Sequence, residues 1–305
     1  MKIKLYFKIL IMICFILNKG YAEQPQFRVA FPQDTLSNDY RFSQVKDVEH
    51  AFKKYPSVHF TYSDANGSTA QLIQNIEDHV KSGIDLLMVS PDNANVVAPV
   101  ISRLYLQGIP VVMVDREINS NHYTSLIHPD NTLIARQAAR YMMSKLKKGT
   151  ILMLEGVPGA SVTHDRTKAF VDEIKNNTDL KIITRTGNFL RSDTMKVVSD
   201  LIDQGISFDA IYSQSDSMLS GVRYVFDKRG VDYSSMLMLG IDYINEAREA
   251  IRTGKQNASF TYSLCGKESV EVAIKILNKK KVPKEVVIDS VLVTKDNVDL
   301  VEPIF

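Results

Sequence analysis

The sequence alternates between short apolar runs and amphipathic helical stretches, and this alternation limits the fold more than any other feature. In the helical stretch 70–80, for example, leucine, isoleucine and valine share one face before Gly83 ends the helix. Strands that alternate with helices form parallel sheets with right-handed crossovers. We therefore predict an α/β fold with strands at Phe27 to Phe31, Val58 to Tyr62, Ile84 to Val89, Val111 to Val114, Ile151 to Leu154 and Ile182 to Thr184.

The chain is long enough for two such units in succession. The first ends near Ile127 and the second near Ile241. The remaining tail has a last predicted strand at residues 286–293 and is too short for a third domain. If the tail crosses back to complete the first unit and then returns, three strands join two doubly wound, Rossmann-like lobes and allow hinge bending. The predicted lobes are residues 23–128 with 263–287, and residues 129–262 with 288–305.

The first 22 residues have the features of a secretory signal peptide. A basic start is followed by an apolar core at residues 9–17 and by small residues that end at Ala22. The core is too short to span a bilayer, and no cysteine follows Ala22 to carry a lipid. We expect a free periplasmic protein that begins near Glu23, with an uncleaved anchor as the alternative.

The charge, cysteine and histidine content limits the kinds of partner that the protein can bind. The chain has 37 Lys and Arg against 35 Asp and Glu, and four of the lysines lie in the predicted signal peptide. The mature chain then has 33 basic and 35 acidic residues, a net charge of −2, which argues against nucleic acid as a partner. Cys265 is its only cysteine and is expected to be a buried apolar residue. The histidines, with His122 and His128 in a predicted loop region, lack metal-binding spacing, so no metal is predicted.

Three predicted strands each lead into an acidic residue, and these acids are Asp115, Asp216 and Asp242. In an open α/β sheet, ligands bind just outside the carboxyl ends of the strands. The pattern therefore predicts one shared cleft, in which Asp115 and the adjacent Arg116 are suited to polyol hydroxyls. A solvent-facing ion pair is the alternative interpretation of these two residues.

The sequence gives little support for catalysis or for a cofactor. Ser161, His164 and Asp165 follow one another at a single helix start, whereas a hydrolytic triad converges from separate elements. Asp115 and Asp242 could resemble the paired acids of a glycosidase. We expect flanking arginines to keep both ionised, whereas general acid catalysis needs a carboxyl with a raised pKa. We predict a binding protein that is not an enzyme and has no cofactor.

Several segments at predicted strand ends and helix starts form a recognisable series: Phe31-Pro32-Gln33, Tyr40-Arg41, Asp115-Arg116, residues 155–166, residues 187–191, Ser215-Asp216 and residues 240–242. In order and spacing they resemble the type I periplasmic sugar-binding proteins of the ribose-binding group, and within it the galactofuranose-binding proteins of ABC importers. The resemblance covers essentially the whole chain. It implies a monomer with two lobes and a sugar in the cleft between them.

The resemblance also implies a role for each matching residue. Carboxylates would accept hydrogen bonds from sugar hydroxyls, arginines would donate to sugar oxygens, and aromatic rings would cover the apolar ring faces. The implied ligand-binding residues are Asn38, Tyr40, Arg41, Asn66, Asp92, Asp115, Arg116, Arg166, Phe189, Ser215, Asp216, Asp242 and Tyr262.

Three positions depart from the family pattern and leave the sugar open. Ser215 replaces a common Asn, Tyr262 replaces the Gln of ribose-binding proteins, and Ile241 replaces an aromatic residue. The predicted function is capture of a monosaccharide, galactofuranose or a related sugar, for delivery to an ABC permease. The alternative is a ligand-sensing accessory protein that docks on the periplasmic domain of a histidine kinase or chemoreceptor. A repressor of the same fold is disfavoured by the signal peptide.

Overall fold

Each of the two lobes is built on a six-stranded sheet. The computed structural model describes residues 26–305, so the predicted signal peptide, residues 1–22, lies outside the described residues. The strands are β1 Phe27–Gln33, β2 Val58–Asp64, β3 Leu86–Val89, β4 Val111–Val114, β5 Ser125–Pro129, β6 Gly149–Glu155, β7 Leu180–Thr186, β8 Ala210–Ser213, β9 Leu237–Asp242, β10 Ala258–Thr261, β11 Glu285–Ile288 and β12 Leu292–Thr294. The helices are α1 Asp39–Phe52, α2 Thr69–Lys81, α3 Ala98–Leu106, α4 Asn131–Lys145, α5 Ser161–Ile174, α6 Arg191–Asp203, α7 Asp216–Arg229, α8 Asn245–Arg252 and α9 Gly266–Leu277.

The strand order confirms the predicted pair of doubly wound α/β lobes. The N-terminal lobe has the order β11-β5-β4-β3-β1-β2 with every pair parallel. The C-terminal lobe has the order β12-β10-β9-β8-β6-β7, in which only β12 runs antiparallel to its neighbour. The chain passes between the sheets after β5, after β10 and after β11, which is the predicted three-strand hinge.

The lobe boundaries follow from these three passages. We place them in residues 129–131, 261–266 and 288–292 as a proposal, near the predicted boundaries at 128, 262 and 287.

Apolar side chains cover both faces of each sheet, as a doubly wound fold requires. In the N-terminal lobe, β3 and β4 are buried along their whole length. Val45 of α1 and Val270 of α9 pack against one face, and Leu72 of α2 packs against the other. Because both of their faces are covered, these two central strands are continuous apolar runs, and polar side chains follow at their carboxyl ends.

Two features of the predicted secondary structure were wrong. His128 lies in β5, which the sequence analysis treated as loop, and its Nε2 lies 2.7 Å from Oε1 of Glu285 on β11. The last predicted strand, 286–293, is two strands in different sheets, because residues 289–291 cross from one lobe to the other. Cys265 is fully buried at the start of α9, as expected. Within residues 26–305, every helix is too short or too polar to cross a membrane.

Candidate ligand-binding site

A cavity lies between the lobes, where the carboxyl ends of the strands face each other. It has about 290 Å³ of empty space. This figure counts all space between the lining atoms, including space open to solvent, so it is an upper limit and allows at most one sugar ring in the closed cavity. Its lining residues are Asn38, Tyr40, Arg41, Asp115, Arg116, Val162, Arg166, Phe189, Ser215, Asp242 and Tyr262.

Asp115 is the centre of the polar network on the N-terminal side. It follows β4 with a φ of 68°, so the chain turns sharply and the side chain is held in the cavity. Its Oδ2 lies 2.8 Å from Nη2 of Arg41, and its Oδ1 accepts a 2.5 Å hydrogen bond from the hydroxyl of Tyr262. Asp115 therefore links α1, β4 and the second hinge passage.

Asp34 is a second buried acid that the sequence analysis missed. It accepts a 2.8 Å hydrogen bond from Nη1 of Arg116 and lies 3.7 Å from Nε of Arg41. Asp34 directly follows β1, so the same strand-then-acid pattern that identified Asp115 could have identified it. Within the described residues, Nε of Arg116 is buried without a hydrogen-bond partner and remains able to donate.

The charges around Asp115 keep it ionised. Burial alone would raise the pKa of this carboxyl, but Arg41 and Arg116 outweigh burial and hold the pKa below its ordinary value. Burial and the nearby Arg41 lower the pKa of Arg116, although a guanidinium stays charged at neutral pH. This side of the cavity therefore presents fixed charges that do not change near neutral pH.

The pKa of Asp242 is raised, whereas that of Asp115 is lowered, and this overturns one expectation from the sequence. Burial raises the pKa of Asp242 to about 8, with Arg166 opposing this rise and Asp216 adding to it. Flanking arginines were expected to keep both cavity acids ionised, and this holds only for Asp115. Burial outweighs the effect of Arg166 on Asp242, and the Arg166 guanidinium is held by other partners: its Nε donates to Asn131 at 2.8 Å and its Nη1 to the carbonyl of Gln214 at 2.6 Å.

Three aromatic rings complete the cavity. The Arg166 guanidinium lies 4.4 Å from the centre of the Tyr262 ring, and that ring packs against Tyr40 at a centroid distance of 5.6 Å. Tyr40 also donates to the carbonyl of Ser263 at 2.6 Å, in the second hinge passage. Phe189 comes from the opposite lobe and is 8% exposed. These rings offer apolar surface beside the charged groups.

The structure brings ten of the thirteen predicted residues to the cavity, and Asn66, Asp92 and Asp216 are the three that it does not. Asn66 is exposed in the turn after β2, and Asp92 accepts a hydrogen bond from the hydroxyl of Thr69. Val162 lines the cavity without having been predicted.

Asp216 is buried behind the cavity because it is the first residue of α7 and turns back towards the sheet. It accepts hydrogen bonds from the backbone of Tyr243 at 2.8 Å, from Gln256 at 2.8 Å and from Ser259 at 2.5 Å. Its role in this geometry is to tie α7 to β9 and β10.

No arrangement of His, Cys, Asp and Glu side chains suitable for holding a metal ion occurs within residues 26–305.

Comparisons with known proteins agree with this geometry. A family model described as a periplasmic binding protein domain matches residues 29–281, which include every cavity-lining residue. The ribose import binding protein of Bacillus subtilis is 27% identical over 294 residues, 91% of this chain and 94% of that protein. The galactofuranose-binding protein of Escherichia coli is 27% identical over 207 residues, 65% of each. The fructose-binding periplasmic domain of a hybrid two-component system superposes with a TM-score of 0.84 at 26% identity, covering 90% of this chain and 92% of that one.

Proposed function

Because the chain belongs to the periplasmic binding protein domain family, we propose that it captures a monosaccharide, galactofuranose or a related sugar, and delivers it to an ABC permease. The observation that carries this proposal is the cavity between the lobes, where arginines and carboxyls stand beside aromatic rings. Charge-assisted hydrogen bonds give direction and strength, and rings cover the apolar faces of a sugar. The relatives named for ribose and galactofuranose support a sugar as the ligand.

Each lobe supplies part of the polar shell, so binding is coupled to closure. Arg41, Asp115 and Arg116 belong to the N-terminal lobe, whereas Arg166 and Asp242 belong to the C-terminal lobe. A sugar that contacts both sets binds the closed form better than the open form and shifts the population towards closure. A micromolar Kd needs about −8 kcal/mol, which a few desolvated charge-assisted bonds and ring burial can supply.

Binding without catalysis is also part of the proposal. The raised pKa of Asp242 meets one requirement of a glycosidase acid. The cavity, however, has room for at most one sugar ring, which is too little for a disaccharide or a larger glycoside. A neutral Asp242 can instead donate a hydrogen bond to a sugar oxygen and accept one from a hydroxyl.

The test is a thermal-shift screen of the chain from Glu23 onwards against pentoses, hexoses in both ring forms and polyols. At a concentration of about 100 times its Kd, a ligand adds about 2.7 kcal/mol to the free energy of unfolding. This raises Tm by roughly 5–10 °C in a protein of this size. Asp115→Asn should abolish the shift because it removes the negative charge beside Arg41 and replaces one of the two acceptor oxygens, which serve Arg41 and Tyr262, with an NH2 donor. The control is Asp203, an exposed acid on α6: the variant Asp203→Asn should show the same thermal shift as the wild type. Absence of a shift with every sugar would refute the sugar as ligand.

A sensing role is the second candidate, and the likeness to the periplasmic domain of a two-component system favours it. The partner would then be a histidine kinase or chemoreceptor rather than a permease. Deletion of the gene separates the two roles. Loss of sugar uptake supports delivery, whereas intact uptake with a lost transcriptional response to the sugar supports sensing.

A further inference from the structure

The start of α1 reaches across the cleft at the edge of the cavity. The side-chain carbonyl of Asn38 caps α1 by accepting from the backbone N of Arg41 at 3.0 Å, and its amide donates to the carbonyl of Phe189 at 2.6 Å. The next residue, Asp39, accepts hydrogen bonds from Arg191 and, at 2.9 Å, from the hydroxyl of Ser217. Asp39 is on the N-terminal lobe and both of its partners are on the C-terminal lobe.

The surroundings of Asp39 favour a negative charge. Arg191 is the first residue of α6 and Ser217 the second residue of α7, so the carboxylate lies at two helix N-termini, where the macrodipole is positive. Arg191 is oriented by Glu246 of α8, whose Oε1 lies 3.0 Å from Nη2. The side chains of Arg191 and Asp39 are 34% and 35% exposed, so their attraction is stronger than that of a fully exposed pair but is still screened by salt.

Asp39 does not line the cavity, although its sequence neighbour Asn38 does. We propose that Asp39, Arg191 and Ser217 form an interlobe clasp that holds a fraction of the protein closed in the absence of ligand. The clasp makes Asp39 a positioning residue for the sugar site. Apparent affinity scales with the fraction of protein that is already competent to bind, so the clasp raises affinity without contacting the sugar. This last effect rests on the proposed function, whereas the ligand-free closure does not.

The test measures the distance between the lobes in the ligand-free protein. Spin labels are placed on Gln74→Cys of α2 and Lys196→Cys of α6, two exposed positions on different lobes, and double electron–electron resonance gives the distance distribution. Cys265 does not interfere, because it is fully buried and burial raises the pKa of its thiol.

The ligand-free wild type should show a closed population. Asp39→Asn should lower the ratio of closed to open molecules about fivefold. Asp39→Glu, which keeps the charge, should retain most of the closed population. Ser217→Ala removes one of the two hydrogen bonds and should have a smaller effect than Asp39→Asn. Glu49→Gln is the matched control, since Glu49 lies on the same helix and pairs with Lys46 of the same lobe.

Salt provides an independent readout of the same pair. Raising NaCl from about 0.05 to 0.5 M should reduce the closed population of the wild type and change that of Asp39→Asn much less. A wild type that is fully open without ligand, or a distribution that is identical in Asp39→Asn, would overturn the clasp. Either result would leave the proposed sugar binding untouched, because the screen for sugars tests that separately.

Discussion

Gly156 has no room for a side chain, because Phe189 occupies the space where one would begin. A Cβ at Gly156 would lie 1.8 Å from Cζ of Phe189. The ring in turn stands beside the guanidinium groups of Arg116 and Arg166, at 5.6 Å and 6.0 Å from its centre. The position of the Phe189 ring in the cavity therefore depends on a glycine that follows β6.

Gly156→Ala should lower the free energy of unfolding by about 1–3 kcal/mol, because the ring must leave its place. In the background Phe189→Ala the same substitution should cost much less, since the clash is gone. Urea unfolding of both single variants and of the double variant measures the coupling. Additive costs would contradict the account, because they would mean that the two residues do not compete for space.

Some residues of the cavity could be predicted from the sequence, and others could not. Asp115 and Asp242 could be predicted because each ends a strand, and strand ends converge in this fold. Asp216 follows a strand too, but it begins a helix, and the sequence does not show that such a residue turns back to the sheet. The hydrogen bond from Tyr262 to Asp115 joins residues 147 positions apart, so it exists only once the hinge is folded.

At the scale of elements, most strands were predictable, including β2, in which polar residues alternate with apolar ones. β4 was predicted with its observed bounds, whereas β5 contains His128 and Pro129 and was missed. The apolar pattern of residues 286–293 gives no sign that the chain changes sheets at residues 289–291. Period-two patterns indicate strands but not their partners.

The end of α9 offers a prediction at this scale. Lys279 follows the helix with a φ of 56°, a left-handed conformation that is unfavourable for a side chain with a Cβ. Lys279→Gly should raise the free energy of unfolding by about 0.5–1 kcal/mol, measured by urea denaturation. Lys280→Gly is the matched control, because its backbone is not left-handed, and it should be neutral or destabilising. A loss of stability in Lys279→Gly would show that the side chain matters more than the strained backbone.

At the scale of the whole molecule, the alternation of strands and helices was enough to predict two lobes and three hinge strands. The closed arrangement of the lobes was not predictable, because its contacts join distant positions. Asp39 and Arg191 are 152 residues apart, and Glu117 donates its backbone N–H to Ser161 of the other lobe at 3.1 Å. Such contacts depend on the angle between the lobes, which no local pattern records.

Closure also brings acids of the two lobes together. Glu117 of the N-terminal lobe and Asp165 of the C-terminal lobe are half-buried. Burial raises the pKa of each, Asp165 raises that of Glu117 further, and Asp130 raises that of Asp165 further. His128 lowers both pKa values, Glu285 faces Glu117, and the groups His164, Asp130 and Arg166 face Asp165. Burial raises the pKa of Asp242 in the same closed state to about 8.

These raised pKa values predict that a lower pH favours closure of the ligand-free protein. In the open form the three acids are hydrated and return towards their ordinary values, so the closed form binds more protons between about pH 4 and pH 8. The closed population should therefore rise as the pH falls from 8 to 5, seen as a smaller radius of gyration in small-angle X-ray scattering. Asp242→Asn should remove the part of this change near pH 8, and Glu117→Gln should remove part of the change at lower pH. A radius that stays constant in the wild type, or increases on acidification, would mean that the acids are already hydrated and that the lobes do not close without ligand.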